Sequence, residues 1–130
     1  MDIKKIAVLG AGNGGFMSAV DMSLMGYEVA IYDSVPGKLD GVKKTGKIEL
    51  CDIESKPTGD VGTIALAADH IKDAVENADV ILNPVPFFAV KTYAEQAAPY
   101  IKENQVIICL GKGGASLVWR KALDLSLIHI

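Results

Sequence analysis

Short apolar runs alternate along this chain with stretches in which apolar residues recur at every third or fourth position. The runs predict five strands, at residues 4–9, 27–32, 63–67, 80–82 and 106–110, of which the one at 80–82 is expected to be short and buried. The spaced stretches predict four helices, at residues 14–25, 71–78, 90–97 and 116–123. Alternation of strand and helix is typical of a parallel sheet covered by helices on both faces. We therefore expect a doubly wound α/β fold with a mostly parallel sheet.

Each of the first three helices has an apolar face at helical spacing. The first helix ends at Gly26, and its face is Phe16, Ala19, Val20, Ser23 and Leu24. Asp69 is expected to cap the second helix, whose face is Ile71, Ala74, Val75 and Ala78. The face of the third is Val90, Tyr93, Ala94 and Ala97. Residues 34–60 are looser and rich in glycine, lysine and proline, and within them residues 48–51 predict a short extra strand.

Composition narrows the function classes. Half of the 130 residues are hydrophobic and the net charge is −3, which favours one globular domain and argues against disorder and against nucleic acid as a partner. No apolar stretch reaches the length of a membrane span, and the first residues lead straight into a strand without the layout of a signal peptide. We therefore expect a cytoplasmic protein without a membrane partner.

The cysteines and histidines predict no metal site. Cys51 and Cys109 lie in apolar, strand-like stretches and are expected to be buried, reduced thiols. They share no close spacing with His70 or His129, as metal ligands would. His70 is expected on a solvated helix start. Hydrolase chemistry is also disfavoured, because no Ser-His-Asp, Cys-His or paired-carboxylate arrangement is present.

A glycine turn separates the first strand from the first helix. Its sequence, Gly-Ala-Gly-Asn-Gly-Gly at residues 10–15, reads as GxGxxG, which at this place is the fingerprint of a dinucleotide-binding Rossmann-type fold. Gly10 allows the tight turn, Gly12 lets a pyrophosphate approach the backbone, and Gly15 lets the helix pack on the strand. Asn13 and Gly14 lie within the turn and are assigned to the cofactor site, Asn13 either as a turn former or as a phosphate contact.

Asp33 ends the second strand, eighteen residues beyond Gly15. A carboxylate there accepts hydrogen bonds from an adenosine ribose, which favours NAD. The alternative is that Asp33 only begins the turn that follows. NADP also stays open as a cofactor, since Lys38 and Ser34 in the next loop could accept its 2′-phosphate.

Two further loops follow strands, at residues 83–88 and 111–114. In open α/β sheets, ligands bind beyond the carboxyl ends of the strands, so all three loops should line one crevice. Val85 and Pro86 are therefore assigned to the cofactor site. Phe87 and Phe88 are expected to pack against a neighbouring helix rather than to stack on a cofactor ring. Lys112 is either a substrate-binding residue for a carboxylate or phosphate, or a solvated loop lysine.

Residues 3–123 resemble the amino-terminal domain of the octopine/nopaline (opine) dehydrogenase family. The stretches that carry the resemblance are residues 10–15, Asn-Ala-Asp-Val-Ile at 77–81, Val-Pro-Phe-Phe-Ala at 85–89, Ala-Pro-Tyr-Ile-Lys at 98–102 and Gly-Gly-Ala at 113–115. Glycerol-3-phosphate dehydrogenases and ketopantoate reductases are similar over the same span. The Lys112-Gly113 step is closer to the glycerol-phosphate enzymes.

The resemblance implies an oxidoreductase that condenses an amino acid with a 2-keto acid and reduces the imine with a nicotinamide hydride. In such families the catalytic histidine and most substrate contacts belong to a helical carboxyl-terminal domain, so no catalytic residue is carried over and this chain is expected to be inactive alone. A hypothesis of another class is a free-standing NAD(H)-sensing domain. The oligomeric state is left open.

The tail has its own interpretation. Residues 125–130 resemble the in-frame translation of a transposon adapter used in sequencing libraries, the alternative being an ordinary amphipathic helix end. We therefore expect a dinucleotide-binding domain at residues 1–124, a non-native tail, and no carboxyl-terminal catalytic domain. His129 enters no site.

Overall fold

The computed structural model describes residues 2–111 and 113–127. Within them the strands are β1 (Lys5–Leu9), β2 (Glu28–Tyr32), β3 (Lys47–Cys51), β4 (Pro57–Thr63), β5 (Leu66–Ala67), β6 (Val80–Asn83) and β7 (Val106–Cys109). The helices are α1 (Asn13–Leu24), α2 (Asp40–Thr45), α3 (Ile71–Val75), α4 (Phe87–Ala97) and α5 (Ala115–Leu127), with a 3₁₀ turn at Ala98–Tyr100.

The main sheet has the order β5-β2-β1-β6-β7, and every neighbouring pair is parallel. The chain first moves outward from β1 through β2 to β5, and then returns to the other side of β1 with β6. This reversal creates a topological switch point at the carboxyl ends of β1 and β6, where ligands bind in doubly wound folds. The predicted Rossmann-type fold is confirmed.

Two apolar cores lie on opposite faces of this sheet. Helices α3, α4 and α5 cover one face, and the predicted faces of α3 and α4 are buried there. Helix α1 covers the other face through Ala19 and Val20, both fully buried. The prediction that Leu24 belongs to the apolar face of α1 is wrong, because its side chain, in the last turn of the helix, is 55% exposed. Gly26 does end the helix, in a left-handed conformation at φ 95°.

Residues 34–60 contain more structure than predicted. They form α2 and most of an antiparallel hairpin, β3–β4, in which Ile48 pairs with Gly62. The hairpin packs on α1 so closely that a Cβ on Gly62 would lie 2.8 Å from Val20 Cα. The single strand predicted at residues 63–67 is therefore split, since Thr63 ends β4 and the next strand, β5, begins at Leu66.

Two local expectations are wrong. Asp69 does not cap α3, because His70 occupies the N-cap position and no side chain caps the helix. The Asp69 carboxylate instead accepts a hydrogen bond from Lys43 Nζ. Cys51 is exposed rather than buried, because β3 belongs to the separate two-stranded sheet with β4 and not to the main sheet. Cys109 is partly buried. His70 is exposed at the start of α3, as expected.

No helix among the residues that the structure describes is long and apolar enough to cross a membrane. The same residues include no group of three or more histidine, cysteine or acidic side chains placed to hold a metal ion.

Candidate cofactor site

Two glycines of the turn after β1 are required by the backbone itself. Gly10 has φ 110°, and a Cβ there would lie 2.4 Å from Val85 Cγ1. A Cβ on Gly15 would lie 1.7 Å from the carbonyl oxygen of Gly10. Any side chain at either position would collide with neighbouring atoms or strain the chain. These residues therefore hold the turn tight and bring α1 close to β1.

Gly12 is different, because nothing in the fold requires it. Its φ of −83° suits any residue, and no heavy atom lies within 4 Å of a Cβ built on it. Gly12 is the N-cap of α1, and both it and Asn13 are exposed. The first backbone N–H groups of a helix have no partner within the helix and attract anions. The missing side chain leaves the approach to these groups open.

The three loops predicted to converge do lie together. They line a crevice of about 570 Å³ that is formed by Gly12, Asn13, Gly14, Pro84, Val85, Pro86, Phe87, Leu110 and Gly111. We call it the glycine crevice. The assigned residues Asn13, Gly14, Val85 and Pro86 are thus brought together at the switch point of the sheet. Lys112 lies outside the described residues.

Asn83 belongs to this region although the sequence did not single it out. It is the last residue of β6 and is 1% exposed. Its Nδ2 donates a 3.0 Å hydrogen bond to the carbonyl oxygen of Leu9, the last residue of β1. The bond ties together the two strand ends that flank the crevice. A polar residue at the end of an apolar run, directly before Pro84, was the available signal.

The expectation that Phe87 and Phe88 pack against a neighbouring helix holds only in part, because both line a groove with Val118 and Ala122 of α5 but neither is buried. Phe87 is 52% exposed and Phe88 86% exposed. They form the first turn of α4, directly after Pro86 at the N-cap position. The ring of Phe87 lines the glycine crevice and contacts the position of a Cβ on Gly114 at 3.5 Å.

Asp33 links the glycine turn to the end of β2. Its Oδ2 accepts a 2.7 Å hydrogen bond from the backbone N–H of Ala11, and its Oδ1 accepts one of 2.8 Å from the N–H of Val35. The second bond makes Asp33 a turn former. A carboxylate oxygen has room for more than one hydrogen bond, so Asp33 can also accept one from a ribose hydroxyl.

A separate hollow of about 300 Å³ lies beside Asp33, and we call it the β2 pocket. It is lined by Tyr32, Asp33, Ser34, Val35, Pro36, Gly37, Leu39, Lys43, Ala68 and Asp69. Lys38 is exposed and is not among these residues. Tyr93 of α4 contacts the pocket lining at Ser34, because its hydroxyl oxygen accepts a 3.2 Å hydrogen bond from the backbone N–H of Ser34. Burial raises the pKa of Tyr93, so this hydroxyl stays protonated at neutral pH.

These features fit a dinucleotide. The open helix N-terminus beside Gly12 suits a pyrophosphate, and the carboxylate of Asp33 suits a ribose hydroxyl. Residues of the glycine turn line the glycine crevice. The β2 pocket is connected to the same turn through Asp33, which lines the pocket and accepts a hydrogen bond from the N–H of Ala11.

Several known proteins are similar to this chain in sequence or in fold. Residues 5–121 match the sequence profile of the NAD-dependent glycerol-3-phosphate dehydrogenase N-terminus. The opine dehydrogenase of Arthrobacter sp. (strain 1C) is 36% identical over 126 residues, which is 95% of this chain and 34% of that enzyme. A glycerol-3-phosphate dehydrogenase [NAD(P)+] of Lactobacillus delbrueckii subsp. bulgaricus is 30% identical over 109 residues, covering 84% of this chain and 31% of the enzyme.

A solved structure of octopine dehydrogenase in complex with NADH and agmatine matches with a TM-score of 0.78 and 24% identity. The match covers 92% of this chain and 32% of that one. The chain thus spans about a third of the length of the curated relatives that it matches. The expected resemblance to opine dehydrogenases is confirmed. The match over residues 5–121 shows that the chain belongs to the family of N-terminal domains of NAD-dependent glycerol-3-phosphate dehydrogenases.

Proposed function

We propose that residues 1–124 form the cofactor-binding domain of an opine dehydrogenase-like oxidoreductase, with NAD lying across the glycine turn. The observation that carries the proposal is the contrast among the three glycines. Gly10 and Gly15 are packed against neighbouring atoms, whereas Gly12 faces open space at the start of α1. A fold requirement explains the first two, and an approaching pyrophosphate explains the third.

The other assigned residues then have distinct tasks. The N–H groups of the first turn of α1, including those of Asn13 and Gly14, would bind the pyrophosphate. The carboxylate of Asp33 would orient the adenosine ribose. Val85 and Pro86 would form an apolar wall of the glycine crevice and exclude water from the reacting end of the cofactor. NAD, when bound, supplies the hydride chemistry, and the protein supplies position and shape.

The opine class is favoured by sequence. The opine dehydrogenase relative is the more similar of the two enzymes above, and its match extends over 95% of the chain. Solved octopine dehydrogenase structures contain L-arginine, agmatine or pyruvate. We therefore propose an amino acid and a 2-keto acid as substrates of the whole enzyme. A glycerol-3-phosphate dehydrogenase is the second candidate, favoured by the family profile.

The two candidates differ in what they require for NADH oxidation. A polypeptide that carries this domain together with the remaining length of its relatives should oxidise NADH with pyruvate only when an amino acid is also present. A glycerol-3-phosphate dehydrogenase would oxidise NADH with dihydroxyacetone phosphate alone. Absorbance at 340 nm with each substrate set distinguishes them, and oxidation by dihydroxyacetone phosphate without an amine would contradict the opine proposal.

A further inference from the structure

An ion pair crosses the wall of the β2 pocket. Lys43 lies on α2, and Asp69 lies between β5 and α3, so the pair joins two elements that are distant in sequence. The ammonium of Lys43 donates a hydrogen bond to Asp69 Oδ1. This bond is the main reason why the pKa of Asp69 is lowered and that of Lys43 is raised. Both groups are therefore charged at neutral pH.

The charges that line the β2 pocket are two carboxylates and one ammonium. The carboxylates belong to Asp33 and Asp69, and Lys43 is the one cationic side chain of that lining among the described residues. The hydroxyl of Ser34 lies within 3.4 Å of the Tyr93 hydroxyl and bonds to it. Asp33 lines the β2 pocket and accepts a hydrogen bond from Ala11 of the glycine turn. A 2′-phosphate on a ribose held by Asp33 would therefore enter this pocket. The cation there, Lys43, already has Asp69 as its anionic partner.

We propose that Asp69 is a specificity residue: by holding the ammonium of Lys43, it withholds from a 2′-phosphate the cation that would bind it. This inference rests on the proposed binding of the dinucleotide. Asp33 disfavours NADP by direct repulsion. Asp69 disfavours it by a different route, since a 2′-phosphate must break the Lys43–Asp69 pair and then remain near both carboxylates.

The pair can be removed without unfolding the protein. The side chain of Asp69 is 74% exposed and that of Lys43 38% exposed, and ion pairs at such positions contribute little to stability. Asp69→Ala removes the hydrogen-bond partner of the Lys43 ammonium and leaves Asp40 as the other carboxylate that acts on it. Asp73→Ala is a matched control, because Asp73 lies in the first turn of α3, four residues after Asp69, but outside the β2 pocket lining.

The test is calorimetric titration of residues 1–130 with NAD and NADP. We expect Asp69→Ala to raise the affinity for NADP relative to NAD by about tenfold, and Asp73→Ala to leave the ratio near that of the parent. The gain should disappear in Asp69→Ala/Lys43→Met, because the ammonium carries it. It should also shrink at high salt.

Three results separate the outcomes. An unchanged ratio in Asp69→Ala overturns the inference. An equal gain in the Lys43→Met background also overturns it, since removal of repulsion alone would then explain the change. If the folded parent and every variant bind neither cofactor, the proposed function fails and the inference fails with it, whereas NAD binding with an unchanged ratio leaves the proposed function standing.

Discussion

The indole Nε1 of Trp119 donates a hydrogen bond of 3.0 Å to the side-chain oxygen of Asn83. Trp119 is 2% exposed and Asn83 1% exposed. Because Asn83 Nδ2 also donates to the carbonyl oxygen of Leu9, one amide joins α5 to the ends of β6 and β1. The spacing of the two strand ends beside the glycine crevice and the position of α5 therefore depend on the same buried side chain.

We expect Asn83→Leu to destabilise the domain by about 2 to 4 kcal/mol, because it leaves the indole N–H of Trp119 and the carbonyl of Leu9 buried without partners. The measurement is urea unfolding followed by circular dichroism. Gln96→Leu is the control, since it removes only a long, exposed hydrogen bond of 3.4 Å from Tyr32. Equal stability of parent and Asn83→Leu would show that the bonds contribute nothing net.

Gly12→Val should abolish NADH binding while the domain stays folded. Nothing lies within 4 Å of a Cβ at Gly12, so the fold accepts valine, but the side chain would occupy the space proposed for the pyrophosphate. Gly15→Ala should instead lower the melting temperature, since its Cβ would meet the Gly10 carbonyl at 1.7 Å. Calorimetry and thermal melts measure both effects, and unchanged NADH affinity in Gly12→Val would mean that the turn is only structural.

The parent should prefer NAD to NADP by tenfold or more, because like charges in a partly dry pocket repel by about 1 to 4 kcal/mol. Asp33→Ser should reduce this preference. Since Asp33 also accepts hydrogen bonds from Ala11 and Val35, Asp33→Asn serves as a control that removes the charge and keeps a side-chain acceptor. Titration of both cofactors tests this, and equal binding of NAD and NADP by the parent would leave Asp33 as a turn residue alone.

Acid should weaken the domain partly through Asp79. Its Oδ2 accepts hydrogen bonds of 2.8 and 2.9 Å from the backbone N–H groups of Lys4 and Lys5, and these lower its pKa below the usual 3.8. A carboxyl with a lowered folded-state pKa stabilises the fold above its unfolded value and loses that contribution as the pH falls through the folded one. The urea midpoint should therefore fall less between about pH 6 and pH 2.5 in Asp79→Asn than in the parent. An identical fall would exclude Asp79 as a cause.

Residues 1–130 should bind NADH but not oxidise it with pyruvate and an amino acid. Among the described residues, the lining of the glycine crevice includes no imidazole, carboxylate or amine that could transfer a proton. Absorbance at 340 nm measures the reaction. Substrate-dependent loss of NADH would contradict this expectation.

The central strands of the main sheet and the helices on it were predictable because their apolar residues are buried at the spacing of the element. Val8, Ile81 and Val90 lie in apolar runs or faces whose period reveals the element. Strand β7, at the edge, was predictable from its apolar run although none of its residues is fully buried. Strand β4, with the sequence Pro-Thr-Gly-Asp-Val-Gly-Thr, was missed because it buries only Gly62. It depends on pairing with β3 and on packing against α1. Strand β5 is two residues long and depends on its partner β2.

The sequence by itself determined the glycine turn and its place between β1 and α1, because the positive φ of Gly10 and the close approach at Gly15 are demands of adjacent backbone. Tertiary structure alone decided the long-range partners of Asp33, Asn83 and Asp69. These side chains bond to groups 22, 74 and 26 residues away, at Ala11, Leu9 and Lys43 respectively. Local periodicity records whether a residue is buried, whereas such pairs arise only when strand order brings distant ends together.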